Sequence, residues 1–360
     1  MSNLYIGIMS GTSLDGIDVA LCEIDSSSCK LISFAEYPFD KELKKEILEL
    51  INSLSSLQKI GEMDKKLGLA FAHALNRFLR EKELKAEDIN AVGLHGQTLW
   101  HSPDGEFPFS MQLGCPSTVV AKTGLKVVAD FRSMDIANGG QGAPFAPAFH
   151  QFAFSSLKEK TAVLNIGGMA NITLLGEELK GWDTGCGNVL LDMWIGRYRD
   201  RKYDKDGEFA RSGTLNQELL NAMLDDPYFK KLPPKSTGRE YFNETWLANF
   251  LPIFNSYKEE DIQRTLLELT ASSIAKDVKA SRVKLLIVCG GGAKNGFLMQ
   301  RIQELTQIEV KTSDEFGMSS DALEAMAFAW LAYKRIKSEE VDLKSVTGAS
   351  KNSILGGIYG

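Results

Sequence analysis

The chain has few cysteines and few histidines, and neither residue type is spaced to bind a metal. The five cysteines are scattered and never occur in CxxC spacing, and the four histidines are equally dispersed. This usage is typical of reduced thiols and gives no support to a disulfide framework or a zinc site. We therefore expect a cytoplasmic protein without a structural metal.

An excess of basic residues and long apolar runs are also absent. The formal net charge is −6, which argues against sequence-independent binding of nucleic acid, because such binding needs a basic surface. No run of about 18 apolar residues is present, so we expect no membrane span. The first residues pass directly into a strand pattern without a charged-then-apolar leader, so we expect no secretory signal. An enzyme or a small-ligand binding protein remains.

The order of hydrophobic patterns predicts an α/β protein. Apolar residues recur at helical spacing over residues 41–84, and strand patterns return at INAVGLHGQTLWH and LKVVADF. Helical patterns dominate residues 187–281. Because 360 residues exceed one ordinary core, we expect two domains, and the Gly/Pro-rich loop 135–147 is a candidate boundary.

Two stretches of the chain resemble each other. IGIMS, at residues 6–10, is an apolar strand that runs into a glycine-hydroxyl loop, and IGGMA, at residues 166–170, repeats the pattern. The identity is low, so the pattern indicates a repeat of supersecondary structure. A pair of similar domains would follow from it.

Three glycine-rich turns could bind phosphate through backbone N–H groups. They are Gly11-Thr12-Ser13, Gly185-Cys186-Gly187-Asn188 and Gly290-Gly291-Gly292-Ala293. None matches a P-loop or a Rossmann fingerprint, and each alone could be an ordinary turn. Three in one chain, two of them in the repeated strand–turn–strand units, favour a nucleotide held between two similar domains.

This pattern resembles the actin, Hsp70 and sugar-kinase superfamily. The resemblance implies a two-domain, actin-like ATPase architecture of the ribonuclease-H-like α/β class, with a central interdomain cleft. We expect residues 1–130 with 318–360 to form the first domain and residues 131–317 the second. Two turns would hold the β- and γ-phosphates, and the third, with Asn295 beyond it, would receive the adenosine or α-phosphate.

Seven segments sharpen the resemblance. They are GTSLDGID, HGQT, ADFRSMDIANGGQGAPFAP, NIGGMANIT, WDTGCGN, GGGAKN and EAMAFAWLA. They occur in the order found in anhydro-N-acetylmuramic acid kinases, and the match covers essentially the whole chain. One departure is Cys186, where the family usually has proline. A small residue should preserve this turn with some loss of rigidity.

The resemblance implies a set of ATP-binding residues. They are Gly11, Thr12, Ser13, Leu14, Asp15, Gly16, Ile17, Asp18, Gly168, Gly185, Gly187, Asn188, Gly290, Gly291, Gly292 and Asn295. A divalent cation, Mg²⁺, would bridge phosphate oxygens with one or two carboxylates near it. Asp15 and Asp18 are candidates for that outer shell or for sugar hydroxyls, although Asp15-Gly16 could simply be a turn dipeptide.

Asp183 precedes the second glycine turn, where a carboxylate could face phosphates. Its alternative role is an Asx-turn that bonds the following amides. In the family this aspartate is the general base. The resemblance implies that Asp183 takes a proton from the water that opens the 1,6-anhydro ring, while the released O6 accepts the γ-phosphoryl group of ATP.

Five residues ahead of the second unit could bind the sugar. The guanidinium of Arg132 suits a carboxylate such as the lactyl acid of a muramic sugar, or could form an ion pair with Asp130 or Asp135. The other candidates, each with a structural alternative as a buried strand end or an interdomain linker, are His95, Gln97, Gly140 and Gln141.

The last predicted helix carries one further candidate. Asp321 is expected to be its N-cap, with Glu324 as the capping-box partner. The resemblance to the family's terminal motif also implies that Glu324 contacts the sugar. Ala322, Ala325 and Ala329 lie at helical spacing and are expected to permit close packing of that helix.

Three functions compete at this point. The resemblance favours a sugar kinase with coupled ring hydrolysis in peptidoglycan recycling, acting as a homodimer on a small substrate with ATP. An ATP-switched binding or assembly protein of the same superfamily should hydrolyse ATP slowly without sugar. In an ordinary hexose or N-acetylglucosamine kinase, Asp183 would deprotonate a sugar hydroxyl directly.

Overall fold

The computed structural model describes residues 3–11, 14, 16–157, 160–250 and 257–360. These residues form strands and helices in alternation, as the hydrophobic pattern predicts. The strands of the described part are β1 Leu4–Met9, β2 Gly16–Ile24, β3 Cys29–Pro38, β4 Ile89–Leu94, β5 Gln97–Ser102, β6 Phe109–Leu113, β7 Val127–Ala129, β8 Thr161–Ile166, β9 Met169–Leu174, β10 Lys180–Cys186, β11 Leu285–Cys289, β12 Glu309–Thr312 and β13 Gly357–Tyr359.

Helices form in the segments predicted to be helical, and three more, between residues 116 and 153, were not predicted. Those of the described part are α1 Lys41–Asn52, α2 Leu57–Glu81, α3 Pro116–Thr123, α4 Ser133–Ala137, α5 Ala146–Ala153, α6 Val189–Arg199, α7 Glu208–Ser212, α8 Gln217–Leu224, α9 Pro227–Lys230, α10 Glu244–Ala248, α11 Glu259–Ser281, α12 Gly296–Thr306, α13 Leu323–Ile336 and α14 Lys344–Thr347. Among the described helices, none is long and apolar enough to cross a membrane.

The chain divides into two units. Unit 1 comprises Met1–Ser155 with Ala322–Gly360, and unit 2 comprises Ser156–Asp321. Residues 131–155, which we expected in the second domain, thus belong to unit 1, and residues 318–321, which we expected in the first domain, belong to unit 2. For residues 131–155 the reason is their contacts: Gln141 N donates to the carbonyl of Thr347 over 2.9 Å, and Phe149 packs against Trp330.

Unit 1 is built on a six-stranded sheet with the order β13-β7-β4-β1-β2-β3. Strand β1 is antiparallel to β2 and parallel to β4, and β4 is parallel to β7. The small sheet of β5 and β6 lies apart from it. The apolar core of this unit includes Ile6, Ile8, Phe71, Leu75 and Phe78, all fully buried.

Unit 2 is built on a five-stranded sheet with the order β10-β9-β8-β11-β12. Strand β8 is antiparallel to β9 and parallel to β11, which is parallel to β12. Strand for strand this is the topology of β3-β2-β1-β4-β7 in unit 1. The repeat that the sequence indicated is therefore confirmed at the level of sheet topology.

Helix α13 packs directly on the main chain of β1 and β4. A Cβ atom on Gly7 would overlap the carbonyl oxygen of Ala325, and one on Gly93 would overlap that of Phe328. Ala325 and Ala329 are fully buried on the helix side. The predicted close packing through small residues is confirmed, and glycine is required in both strands because no side chain fits there.

Candidate active site

The first glycine turn joins β1 to β2 in unit 1. Leu14 N donates to the carbonyl of Gly11 over 3.2 Å, and Leu14 is fully buried with a φ of 54°. Since Leu14 and Ile17 are both buried in the core, only their main chains could contact a ligand. The predicted ligands Thr12, Ser13 and Asp15 lie outside the described residues.

Strand β4 and the residues after it hold buried polar groups close to this turn. The hydroxyl of Ser10 donates to Oε1 of Gln97 over 2.6 Å, and both side chains are buried. His95 N donates to the carbonyl of Ile8 over 3.1 Å. The structure thus places His95 and Gln97 beside the turn between β1 and β2. This proximity is needed if these residues and the turn belong to one site.

Arg132 has an unusual environment for a half-buried cation. Its Nη1 donates to the carbonyl of Gly142 over 2.6 Å, and its Nη2 lies 2.8 Å from Nε2 of His95. Its Nε is buried without a partner among the described residues. Burial lowers the pKa of Arg132 to about 10.

The ion-pair alternative for Arg132 is not observed. Asp130 accepts from the hydroxyl of Ser133 over 2.5 Å. Asp135 accepts from Gly142 N over 2.7 Å and from the hydroxyl of Thr347 over 2.8 Å. No carboxylate of the described residues forms an ion pair with Arg132, so its charge is left for a group outside the described protein atoms.

Asp135 also organises the GGQGAP loop, a role that the sequence did not indicate. Its main-chain carbonyl accepts from Gly140 N over 2.9 Å, and its carboxylate holds Gly142 N. Gly140 is buried, whereas Gln141 is exposed. The loop is therefore a fixed element of unit 1 and not a linker, and Gln141 is its accessible side chain.

The expected N-cap of the last helix is wrong. Helix α13 begins at Leu323 with Ala322 as its N-cap and has no side-chain cap, while Asp321 pairs with Lys294 over 2.7 Å. Glu324 therefore lies in the first turn and is not a capping-box partner. Its side chain is exposed.

In unit 2 the turn between β8 and β9 meets the second glycine turn. Gly187 N and Val189 N donate to the carbonyl of Gly168, and Asn188 N donates to that of Gly167, over 2.8–3.1 Å. These amides are already bonded, so they are not free to bind phosphate. Gly187 is required because a Cβ there would overlap the carbonyl oxygen of Gly167.

The amide of Gly168 differs from its neighbours. No described group accepts a hydrogen bond from it. The guanidinium of Arg239 lies over this residue, since a Cβ on Gly168 would be 3.4 Å from its Nε and Nη2. Arg239 forms no ion pair with a described carboxylate. A free amide and an exposed cation thus meet at this turn.

The third glycine turn lies beside the second. A Cβ built on Gly291 would be 3.9 Å from Nδ2 of Asn188, and the turn packs on Ile166. Asn295 is buried and caps α12 through a 3.0 Å hydrogen bond from Leu298 N. Unit 2 therefore brings together Gly168, Asn188 and Gly291, as predicted for a nucleotide site.

Asp183 lies on β10, where the register against β9 shifts between Asp183 and Gly185. Bulges of this kind redirect a side chain out of the regular pleat. Its Oδ2 accepts hydrogen bonds from Thr237 N at 2.9 Å and from the hydroxyl of Ser236 at 3.0 Å. Its Oδ1 has no partner among the described residues, and the alternative role of Asp183, an Asx-turn, is not observed.

The pKa of Asp183 is raised above its ordinary value. Burial is the main cause, and the charge of Glu240 adds to it. The hydrogen bonds from Thr237 and Ser236, and the charge of Lys235, act in the opposite direction. A carboxylate with a raised pKa is a stronger base than an exposed aspartate, which suits it to proton transfer.

The sequence does not indicate Ser236 and Thr237 as the partners of Asp183. They belong to a segment whose only signal is the hydroxyl-rich KST sequence after two prolines. Cys186, in place of the family's proline, is buried at the end of β10. Burial raises the pKa of its thiol to about 12, so it is an inert packing residue.

The fold identifies the class of protein. The structure is similar to component A of (R)-2-hydroxyglutaryl-CoA dehydratase from Acidaminococcus fermentans, with a TM-score of 0.52 at 12% identity, covering 93% of this chain and 100% of that one. Together with the doubled sheet topology and the glycine turns, this likeness identifies an actin-like ATPase fold. The central fold-class prediction is confirmed.

The chain belongs to the anhydro-N-acetylmuramic acid kinase family, whose model matches residues 3–360. It is 58% identical to the anhydro-N-acetylmuramic acid kinase of Sulfurimonas denitrificans, over 100% of both chains. It is 56% identical to that of Sulfurovum sp., over 99% of this chain and 98% of the other. The family consists of phosphotransferases, and a kinase uses a phosphoryl donor such as ATP.

Proposed function

We propose that this chain opens the 1,6-anhydro ring of 1,6-anhydro-N-acetylmuramic acid by hydrolysis and phosphorylates O6 with ATP. The product is N-acetylmuramic acid 6-phosphate. The family bears the name of this sugar. The observation that carries the mechanism is Asp183, because its Oδ1 is without a described partner and its carboxyl has a raised pKa.

The proposed reaction needs one carboxylate. Asp183 accepts a proton from water, and the water oxygen attacks the anomeric carbon. The bond from that carbon to the bridging oxygen breaks, and its electron pair stays on O6. O6 then attacks the γ-phosphorus, and the bond from phosphorus to the β–γ bridging oxygen breaks, releasing ADP.

This order of bond changes explains why the reaction needs no second carboxylic acid. Most glycosidases need a second carboxylic acid to protonate the leaving oxygen. Here phosphorus takes the leaving alkoxide, so no proton is needed on O6. The proton held by Asp183 passes to solvent after product release, and each cycle consumes one water, one ATP and one sugar.

Phosphate binding is supported by groups of unit 2. Phosphoryl transfer depends mainly on positioning and charge neutralisation. The free amide of Gly168 and the guanidinium of Arg239 supply a donor and a positive charge at one turn. We assign the neighbouring turn of Gly290, Gly291 and Gly292, with Asn295, to the adenosine or α-phosphate.

Mg²⁺ is the proposed metal of the reaction, and when bound it would neutralise phosphate charge. It keeps several waters and needs only one or two carboxylates beside phosphate oxygens. Within the described ranges no group of three or more His, Cys, Asp or Glu side chains is placed to hold a metal. This fits a cation held mostly by nucleotide and water, with half-buried Asp18 in its outer shell.

Arg132 supports recognition of the lactyl carboxylate of the sugar. A half-buried guanidinium without a described counter-charge favours an anionic ligand. We propose Gln97, through Nε2, and exposed Gln141 as donors to sugar oxygens, with His95 and Gly140 shaping the site. Glu324 is exposed and takes no part in capping α13. We propose that its carboxylate accepts a hydrogen bond from a sugar hydroxyl.

The test is sugar-dependent turnover. Purified protein with ATP, Mg²⁺ and 1,6-anhydro-N-acetylmuramic acid should release ADP and yield a product heavier than the sugar by one water and one phosphoryl group. N-acetylmuramic acid should be a poor substrate, because it has no 1,6-anhydro bridge to open. ADP release at one rate with and without sugar would contradict the proposal and favour an ATP switch.

The cellular setting follows from this reaction. We propose that the protein acts in the cytoplasm, where ATP is available, in peptidoglycan recycling and amino-sugar catabolism. None of its five cysteines, all described, is paired in a disulfide, which fits that compartment. We also propose a homodimer, as the resemblance implies, and sedimentation at micromolar concentration would test it.

A further inference from the structure

Three consecutive residues of unit 2 contact Asp183. The carbonyl of Lys235 accepts from Asp183 N over 3.0 Å. The hydroxyl of Ser236 and the amide of Thr237 both donate to Oδ2, over 3.0 Å and 2.9 Å. One segment therefore holds the main chain of Asp183 and one oxygen of its carboxylate, while the other oxygen has no described partner.

We propose that Ser236 is a positioning residue that fixes the Asp183 carboxylate so that Oδ1 is the atom that accepts the proton from water. The inference rests on the proposed role of Asp183 as general base. With Oδ2 held by two donors, rotation of the carboxylate about the Cβ–Cγ bond would break both bonds. The orientation of Oδ1 is thereby set before the substrate arrives.

The segment is itself anchored. The ammonium group of Lys235 lies 3.2 Å from Oδ2 of Asp277 on α11, and both side chains are buried. Nε1 of Trp182 donates to the same carboxylate oxygen over 2.9 Å. Since a buried ion pair with a further donor is held firmly, the carbonyl of Lys235 and the hydroxyl that follows it stay in place.

Asp183 is held from its other side as well. The hydroxyl of Tyr228 donates to its main-chain carbonyl over 2.8 Å. Its main chain is therefore bonded at both N–H and C=O, outside the regular ladder of β10. The main chain of Asp183 is thus held, and Ser236 is the side chain that holds its carboxylate.

The hydroxyl of Ser236 also influences the affinity of Asp183 for a proton. The charges of Glu240 and Lys235 act on this carboxylate, and Tyr228, which its charge reaches, also lies near Asp277 and Cys186. Burial and Glu240 raise the pKa of Asp183, whereas the bonds from Thr237 and Ser236, and Lys235, lower it. Removing the Ser236 hydroxyl should therefore raise this pKa further.

A pH profile distinguishes this role from a structural one. In Ser236→Ala we expect the acidic limb of kcat/KM for the sugar to move to higher pH by about one unit. We expect kcat on the plateau to fall by about tenfold, because the base is less well oriented. Ser236→Thr keeps a hydroxyl and should restore both. Ser236 is exposed, so neither change should prevent folding.

Ser212→Ala is the matched control. Ser212 is an exposed serine of unit 2 whose hydroxyl donates only to the carbonyl of Phe209, and its variant should have the parental profile. An unchanged acidic limb in Ser236→Ala would overturn the inference, whatever its kcat. Failure of the base assignment is separate, because it would appear as substantial turnover in Asp183→Asn.

Discussion

Nη2 of Arg132 lies 2.8 Å from Nε2 of His95. A guanidinium can only donate, so the imidazole accepts through Nε2 and carries its own proton on Nδ1. Burial, and then the charge of Arg132, lowers the pKa of His95 to about 3. The pair thus consists of a charged arginine and a neutral histidine.

His95 should remain neutral in the folded protein throughout pH 5–8. The unfolded chain takes up this proton below about pH 6.5, whereas the folded chain does not until about pH 3. The free energy of unfolding should therefore decrease as the pH falls between these values. The measurement is ¹⁵N NMR of labelled histidine, and a midpoint between pH 5 and 8 would contradict it.

Arg132 should set the preference for an acidic sugar. We expect 1,6-anhydro-N-acetylmuramic acid to be favoured in kcat/KM over 1,6-anhydro-N-acetylglucosamine, which lacks the lactyl group, by about 10- to 100-fold. Arg132→Met should remove most of this preference by losing activity on the acidic sugar alone. Exposed Arg80 provides the control, because Arg80→Met should keep the preference. Equal preference in Arg132→Met and the parent would exclude the assignment.

Replacing Asp183 should greatly reduce kcat and leave the affinity for ATP nearly unchanged. Asp183→Asn keeps the shape of the side chain and removes the base, so kcat should fall by about 10²–10⁴-fold. The affinity for ATP, measured by calorimetry, should stay within about twofold, because Asp183 does not carry phosphate binding in this account. Asp225→Asn, a change at an exposed carboxylate, should leave both quantities unchanged. Substantial turnover in Asp183→Asn would refute the mechanism.

The contact between the first two turns of unit 2 should be sensitive to one methyl group. In Gly187→Ala the new Cβ overlaps the carbonyl of Gly167, and the turn must move. We expect the free energy of unfolding of unit 2 to fall by about 1–3 kcal/mol, with weaker ATP binding. Gly176→Ala is the control, since no described atom lies within 4 Å of its added Cβ. Equal stability of the two variants would argue against the close contact.

Much of this architecture could be predicted because its signals are local. The similarity of IGIM and IGGM identifies two hairpins that occupy equivalent positions in their sheets. It could be recognised because the strand pattern and the turn residues of each hairpin are close together in the sequence. The approach of α13 to β1 also has a local signal, in small residues at helical spacing.

The parts that could not be predicted depend on contacts between distant segments. Ser236 and Asp183 are 53 residues apart in the sequence, and no local pattern in either segment indicates that they are in contact. The same holds for Asp135, which bonds Thr347 and not Arg132. Asp321 had the right residue type for a cap, but its ion pair with Lys294 competes, and the helix begins later.

Ring opening by water and phosphoryl transfer from ATP should occur in one reaction. The most direct measurement is turnover in ¹⁸O-labelled water, followed by mass spectrometry of the sugar phosphate immediately after quenching. We expect one ¹⁸O on the anomeric carbon and none in the phosphoryl group, since O6 comes from the bridge. A sugar phosphate that forms without ¹⁸O at the anomeric carbon would contradict it.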